Sequence, residues 1–524
     1  MDNKQVIKII YTSDVHGNAL PIIYGTNKKA PIGLTTYATV VKRAREKHEH
    51  LLVLDNGDLI QGTPFMTHYF KEHTDKENPV ITLMNHIGID AAIIGNHEFN
   101  FGRDLLNKSV QQSQFPWLSA NILNDETDDP LFGKPYITKT FTNGIKIVVV
   151  GVTTHFIPNW EAAEHIKGIR FRDAFTTLKS WVPYIHEKEK PDILIVSYHG
   201  GLERNLETGK PTEPLTGENQ GYQMAKEIDG IDILLTGHQH RELTGQIGDS
   251  LVIQPGKHAH TYGEIDITLQ YQQDEWMIMD KHAEVKDLKN IQADQELINR
   301  IEAFETSTQK WLDEPIGTID GDMTITDPFQ VRIKKHPFIE FIQHVQMDAT
   351  GVDISVTSLL NNESTGFSTH VKMRDIVSNY IYPNTLTVLA LTGKDILLAL
   401  EKTATYFTID NEEEIAVNPS YITPKPQHYN YDMWEGIEYT LNISKPVGSR
   451  VENVTYHGKP LEEKQTYHVA MNNYRAGSGG NFDMFKGKPV VKDIQRDMVT
   501  LIREYIERHE IITAKTTDNF HIIK

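Results

Sequence analysis

Five short stretches set oxygen or imidazole donors beside glycine. They are Ser13-Asp14-Val15-His16-Gly17, Asp55-Asn56-Gly57-Asp58, Gly95-Asn96-His97-Glu98, Ser197-Tyr198-His199-Gly200-Gly201 and Thr236-Gly237-His238-Gln239-His240. An Asp-x-His or His-x-His at the mouth of a strand aims two ligands into one space. The chain has no cysteine, so thiolate sites, disulfides and a cysteine nucleophile are excluded. Carboxylate, carboxamide and imidazole donors suit Mn, Fe, Zn or Co without choosing among them. Seven candidates, Asp14, His16, Asp58, Asn96, His199, His238 and His240, exceed the need of one tetrahedral ion. They fit two divalent metal ions that share a bridging carboxylate, for which Asp58 is the natural choice. A lone Asp-x-His says little in a chain with 24 histidines. Five such stretches in series are not explained by packing, because buried charges without partners are costly.

Each stretch follows a short apolar run with the Val, Ile and Leu content of a buried strand. The runs are Val6–Tyr11, Leu51–Leu54, Ala91–Ile94, Ile193–Ser197 and Ile233–Leu235, and Ile145–Val150 is a sixth. Helix-compatible segments lie among them at Thr36–Lys47, Phe101–Ser113 and Asp173–Lys188. The alternation predicts a layered α/β sheet domain, with ligands at the carboxyl ends of its strands. Ser250–Lys286 predicts further strands at a sheet edge. Leu297, Ile298, Ile301 and Phe304 fall at helical spacing, so Ala293–Leu312 reads as an amphipathic connector helix closed by Pro315. The division expected is 1–288 for the metal-bearing domain, 289–320 for the linker and 321–524 for a smaller α+β domain. That domain should end in a helix marked by Ile494, Met498, Leu501, Ile502 and Tyr505, then a polar tail.

The chain has 524 residues, enough for more than one domain. Lys and Arg number 52 against 71 Asp and Glu, a net charge of −19. Such a surface opposes binding to long nucleic acid, whose affinity rests on many cationic contacts to phosphate. A small phosphorylated substrate is still admitted, since bound cations reverse the sign locally. No apolar run reaches the ~18–20 residues of a membrane span, so no membrane partner is expected. Nothing in the sequence sets an oligomeric state. The N-terminus shows no export signal, so the chain as written reads as cytoplasmic; a mature exported protein given a new Met would read the same.

The ordered blocks Asp14-x-His16, Gly57-Asp58, Gly95-Asn96-His97-Glu98, His199 and Gly237-His238-x-His240 resemble the calcineurin-like metallophosphoesterase signature. The whole chain resembles the two-domain nucleotidases, in which that domain precedes a nucleotide-recognition domain. Tyr380-Ile381-Tyr382-Pro383-Asn384-Thr385-Leu386 and the block Asn472–Phe482 are similar to those of the bacterial 2′,3′-cyclic-nucleotide 2′-phosphodiesterase/3′-nucleotidase branch. The 5′-nucleotidase pattern Gly-Asn-His-Glu-Phe-Asp is not matched, because Asn100 stands at its last position. The Phe-x-Ala-x-Gly-Gly-Asp-Gly block of 5′-nucleotidases has Tyr474 at its aromatic position and lacks the Asp. Their Ile-Arg pair is also missing from Gly366–His370.

The resemblance implies phosphoester hydrolysis with two divalent metals. His97 would protonate the leaving sugar oxygen, with Asn100 on the other side of its ring. An Asn can accept from the ring N–H but adds no charge. A 2′,3′-cyclic nucleotide would open at the 2′ oxygen, and a second turnover would release nucleoside and phosphate. The second domain would hold the small nucleotide substrate by its base, between Tyr382 and Tyr474, with Asn384 and the Gly477–Gly480 run close by. The alternatives kept are a 5′-nucleotidase, a nucleotide-sugar pyrophosphatase and a non-catalytic nucleotide receptor.

Overall fold

The computed structural model describes residues 4–213, 215–382, 384–494 and 496–524. The chain divides into two compact units, Met1–Thr308 and Gln309–Lys524.

The first unit is built on two six-stranded sheets. One sheet runs in the order Glu275–Asp287, Thr261–Gln272, Lys4–Thr12, Leu51–Asp55, Ala91–Ile93, Trp117–Leu118. The other runs Glu242–Ile247, Ser250–Pro255, Ile233–Leu235, Ile193–His199, Lys146–Thr153, Tyr136–Thr140. Their central pairs are parallel, with Ile10 opposite Val53, Leu54 opposite Ala91, and Val149 opposite Ile195, which in turn faces Ile233. The edge strand Trp117–Leu118 is also parallel to its neighbour, while the strands Thr261–Gln272, Glu275–Asp287, Glu242–Ile247 and Tyr136–Thr140 pair antiparallel. Ile7, Ile9, Leu52, Leu54 and Ile93 of one sheet share a core with Ile147, Val149, Ile195, Ile233 and Ile253 of the other. The strand Lys146–Thr153 shows why its apolar run is continuous. Ile147 and Val149 face that shared core, while Val148, Val150 and Val152 face Leu178, Val182 and Ile185 of the helix Ala174–Glu189. Burial on both faces removes the alternation that a solvated strand would show.

All six runs expected to be strands form strands, and the helices Leu34–Lys47, Arg103–Gln112 and Ala174–Glu189 match the three helix-compatible segments. The reading of Ser250–Lys286 as edge strands also agrees with the two sheet orders. The amphipathic connector forms as the helix Gln295–Leu312, and the division between the units falls within it.

The second unit centres on a five-stranded sheet ordered Asp432–Glu435, Ile354–Ser358, Thr466–Asn472, Leu386–Thr392, Val490–Ile494. The helix Pro337–Thr350 buries Phe338, Ile339, Phe341, Ile342 and Val345. The C-terminal pattern differs from expectation in two places. Ile494 belongs to a strand, and the helix begins at Met498, because the Asp497 carboxylate accepts from Thr500 N at 3.0 Å and caps it. The polar tail contains the strands Ile511–Thr513 and Phe520–Ile523, which pair in parallel with Pro315–Asp320 and Glu438–Asn442. Those partners are distant in sequence, so tertiary pairing overrides a weak local pattern.

Candidate metal centre

The loops that follow five strands, three from one sheet and two from the other, converge. Asp14, His16 and His240 form one set of donors, and Asp58, His199 and His238 form a second. In the first, His240 Nε2 lies 3.4 Å from Asp14 Oδ1 and 3.0 Å from His16 Nε2. In the second, His199 Nε2 lies 3.2 Å from Asp58 Oδ2. Asn96 Oδ1 joins this set, 3.1 Å from His199 Nε2 and 2.9 Å from His238 Nδ1. Asp58 Oδ2 is also 4.0 Å from His16 Nε2, so one carboxylate faces both sets. Ligands about 2.0–2.1 Å from a common ion must stand roughly 3–3.4 Å apart. The closest donor spacings here have that size, and the donor chemistry fits divalent cations. The structure therefore gathers all seven side chains singled out in the sequence.

The rings are held by their other nitrogens. His199 Nδ1 contacts Asn56 O at 2.6 Å, His16 Nδ1 contacts Gln61 O at 3.2 Å, and His238 Nε2 contacts the Glu218 carboxylate at 3.0 Å. A ring nitrogen that donates to a carbonyl or carboxylate leaves its partner nitrogen with a lone pair for a metal. Trp160 stacks on His238 with centroids 5.3 Å apart. Burial lowers the His16 pKa to about 3, which keeps the ring neutral. Burial opposes charge at His199 too, but Asp58 outweighs it and raises the pKa to about 10. A cation held there would take the place of that proton.

Local backbone conformation supports a specialised site. Asp14, His16, Asp58, His238 and His240 all have positive φ, between 50° and 65°. For residues with a Cβ this costs on the order of 1 kcal/mol each and persists only where surrounding structure enforces it. Part of that enforcement is Glu98. Its buried carboxylate accepts from the backbone N–H groups of Asp58 (2.9 Å), Leu59 (2.6 Å) and Gly95 (2.6 Å). Burial, with the Asp58 charge next, raises the Glu98 pKa to about 7. Glycine is required at Gly237 for closeness: a Cβ there would meet Ser13 Oγ and would lie 2.8 Å from Asp14 Oδ2.

His97 stands beside the donors and outside both sets. Its backbone N–H donates to Asp58 Oδ1 at 2.8 Å, and its ring centroid is 5.3 Å from that of His16. Its Nδ1 is 2.7 Å from Asn100 Oδ1, and Asn100 Nδ2 donates to Glu161 Oε2 at 2.7 Å. Glu98, Trp160, Glu161 and Glu218 were not singled out for the site in the sequence. Glu98 lies in a quoted block, whereas the other three have no motif and reach the site only through the fold.

In the second unit, Leu386 pairs with Asn472, and this brings the two aromatic blocks together. Thr385 N donates to Asn473 Oδ1 at 3.0 Å, and Asn473 N donates to Thr385 O at 3.0 Å. Tyr382 and Tyr474 are both half-buried, and Pro383, which follows Tyr382, lies outside the described residues. Tyr474 rests on Gly479, where a Cβ would come 2.5 Å from its ring, so the glycine run is a packed surface as well as a turn. Asn384 O accepts from Met498 N at 2.9 Å, and its side chain lies beside the buried Tyr380 hydroxyl. Arg475 is buried and pairs through Nε with Asp432 Oδ2 at 2.8 Å. Its guanidinium also stacks over Phe482 at 4.0 Å.

Comparison with known proteins gives two family matches, calcineurin-like phosphoesterase over residues 7–242 and 5′-nucleotidase, C-terminal domain, over residues 315–487. The chain is 26% identical to a 2′,3′-cyclic-nucleotide 2′-phosphodiesterase/3′-nucleotidase of Yersinia enterocolitica, covering 90% of this chain and 81% of the relative. It is 25% identical to the trifunctional nucleotide phosphoesterase protein YfkN of Bacillus subtilis, over 98% of this chain but only 39% of that longer protein. A crystal structure from Staphylococcus aureus, provisionally described as a 5′-nucleotidase in complex with alpha-ketoglutarate, is 34% identical with a TM-score of 0.91. That match covers 99% of this chain and all of the other.

Proposed function

Because this chain belongs to the family that joins a calcineurin-like phosphoesterase to a 5′-nucleotidase C-terminal domain, we propose that it hydrolyses 2′,3′-cyclic nucleotides to 3′-nucleotides and these to nucleoside and phosphate. Phosphoester hydrolysis belongs to the family; the choice of ester is our reading. The observation that carries it is the pairing of His97 with Asn100 beside two donor sets joined by Asp58. Asp14, His16, His240, Asp58, Asn96, His199 and His238 would hold two divalent cations, with Mn, Zn, Fe and Co as the candidates. When bound, such cations neutralise charge on the phosphoryl group and lower the pKa of a water.

The chain's own groups supply the rest. By holding the cations, Asp58 and the four imidazoles would position the phosphoryl group. His97, with Nδ1 on Asn100, has Nε2 to deliver a proton to the departing 2′ or 3′ oxygen. Asn96 and His97 thus divide binding from proton transfer between adjacent residues. Residues 1–288 carry the phosphate chemistry in this reading, 289–320 link, and 321–524 recognise the base. Tyr382 and Tyr474 stack the base, an interaction worth about 1–3 kcal/mol that tolerates any base. Asn384, two residues after Tyr382 in the chain, is the polar group we assign to the base.

A second reading is a 5′-nucleotidase, favoured by the description of the 34%-identical Staphylococcus aureus structure. Activity against 2′,3′-cyclic AMP, 3′-AMP, 5′-AMP and UDP-glucose with Mn²⁺, with and without chelator, separates the two. We expect the first two to be preferred and chelation to abolish turnover. Preference for 5′-AMP overturns the choice of ester. Stoichiometric nucleotide binding without phosphate release overturns the enzyme.

A further inference from the structure

An asparagine beside a histidine poses a problem that an aspartate does not. Its amide can turn to present either an acceptor or a donor, and the two orientations call for opposite tautomers of the imidazole. The structure contains a group that decides between them. Glu161 Oε2 accepts from Asn100 Nδ2 at 2.7 Å. The other oxygen, Oε1, is 2.8 Å from His165 Nδ1 and accepts from Ala162 N at 2.9 Å. The Glu161 side chain is only 6% exposed and held from three directions. An ionised carboxylate can only accept. The Asn100 amino group must therefore face Glu161, its carbonyl oxygen must face His97, and His97 Nδ1 must carry the hydrogen. Nε2 is then the nitrogen that serves the leaving oxygen, and it has a proton to give only while the ring is doubly protonated.

The same turn meets the donor cluster from a second side. Trp160, the residue before Glu161, stacks on His238. One short stretch, Ile157–Glu161, thus touches a proposed metal donor and the support of the proposed proton donor. Nothing in the five glycine-flanked stretches points to it, since Glu161 is 61 residues from Asn100.

We infer that Glu161 is a positioning residue which, through Asn100, fixes the His97 ring so that Nε2 serves the leaving oxygen. The inference rests on the reading of His97 as proton donor given above, and the test separates the two. The probes are a nucleotide ester with a poor alkoxide leaving group (3′-AMP) and an aryl ester whose phenolate departs unprotonated (p-nitrophenyl phosphate), both with Mn²⁺. Glu161→Ala is expected to lower kcat on 3′-AMP at least tenfold with KM within twofold. Its kcat on p-nitrophenyl phosphate and its bound metal should change less than threefold, which also shows that the variant is folded. Asn100→Asp added to Glu161→Ala should restore most of the lost kcat, because a carboxylate presents only acceptors to His97 whichever way it turns. Glu161→Gln, which keeps the shape and can offer either group, should fall between. Equal loss on both esters, no loss on 3′-AMP, or failure of Asn100→Asp to rescue overturns the inference. His97→Ala is run alongside. If its loss is the same on both esters, the proton-donor reading fails and the role of Glu161 falls with it. If its loss is confined to 3′-AMP, a failure at Glu161 counts against Glu161 alone.

Discussion

Asp58 faces both donor sets, so its loss should be felt by both. Asp58→Asn is expected to lower bound metal at both sets, whereas His240→Ala should affect mainly the set containing Asp14 and His16. Metal analysis after dialysis in equal Mn²⁺ tests this, and equal loss in the two variants would remove Asp58 as the bridge. His97→Ala should instead retain metal while kcat on 3′-AMP falls ~10²-fold or more, the range of a lost general acid; metal loss would make His97 a ligand. Gly237→Ala should destabilise the fold by about 1–3 kcal/mol in urea unfolding, since the added methyl overlaps Ser13 and Asp14. The donors were legible because each lies in a short glycine-containing stretch at the end of an apolar run. Glu161 and Glu218 were not, because a carboxylate that acts on another side chain leaves no local spacing to detect.

Helices and strands bring their own tests. His68, on the helix Pro64–Glu72, is buried, contacts Thr308 Oγ1 at 2.9 Å and stacks on Phe304 of the helix Gln295–Leu312. Burial, then His73 and Lys76, lowers its pKa from 6.5 to about 4. The unfolded chain therefore takes up the proton before the folded one does. The stability this ring contributes is complete above pH 6.5 and is lost as pH falls through 4, by up to about 3 kcal/mol. Urea midpoints at pH 7 and pH 4.5 should converge in His68→Phe relative to the parent; an unchanged pH dependence would remove the assignment. In the second unit, Arg475→Ala strands the buried Asp432 carboxylate and should cost about 3–5 kcal/mol. The strands were readable from their apolar runs. Their sorting into two sheets was not, because a residue's hydrophobicity records that it is covered and not by which sheet. The two C-terminal strands were unreadable for a related reason: their hydrogen-bond partners lie about 80 to 195 residues away.

Across the whole chain, a charge of −19 works against an anionic substrate. Attraction must come from a small region, and the donor sets are where cations could supply it. Among the described residues, no helix is long and apolar enough to cross a membrane. Cations that bind only the folded chain stabilise it by mass action, about 2.7 kcal/mol at a hundredfold excess over Kd. The thermal midpoint should rise with Mn²⁺ in the parent and stay flat in Asp58→Asn; a parallel rise in both would place the stabilising cation elsewhere.

The chain order of the two sheets has one more consequence. The second sheet lies wholly within residues 136–255, inserted between the Trp117–Leu118 and Thr261–Gln272 strands of the first. During synthesis on the ribosome, all seven donors have emerged by His240. The hairpin that covers the open flank of Lys4–Thr12 is completed only at Asp287. A nascent chain therefore owns its full ligand complement before the scaffold beneath it is closed.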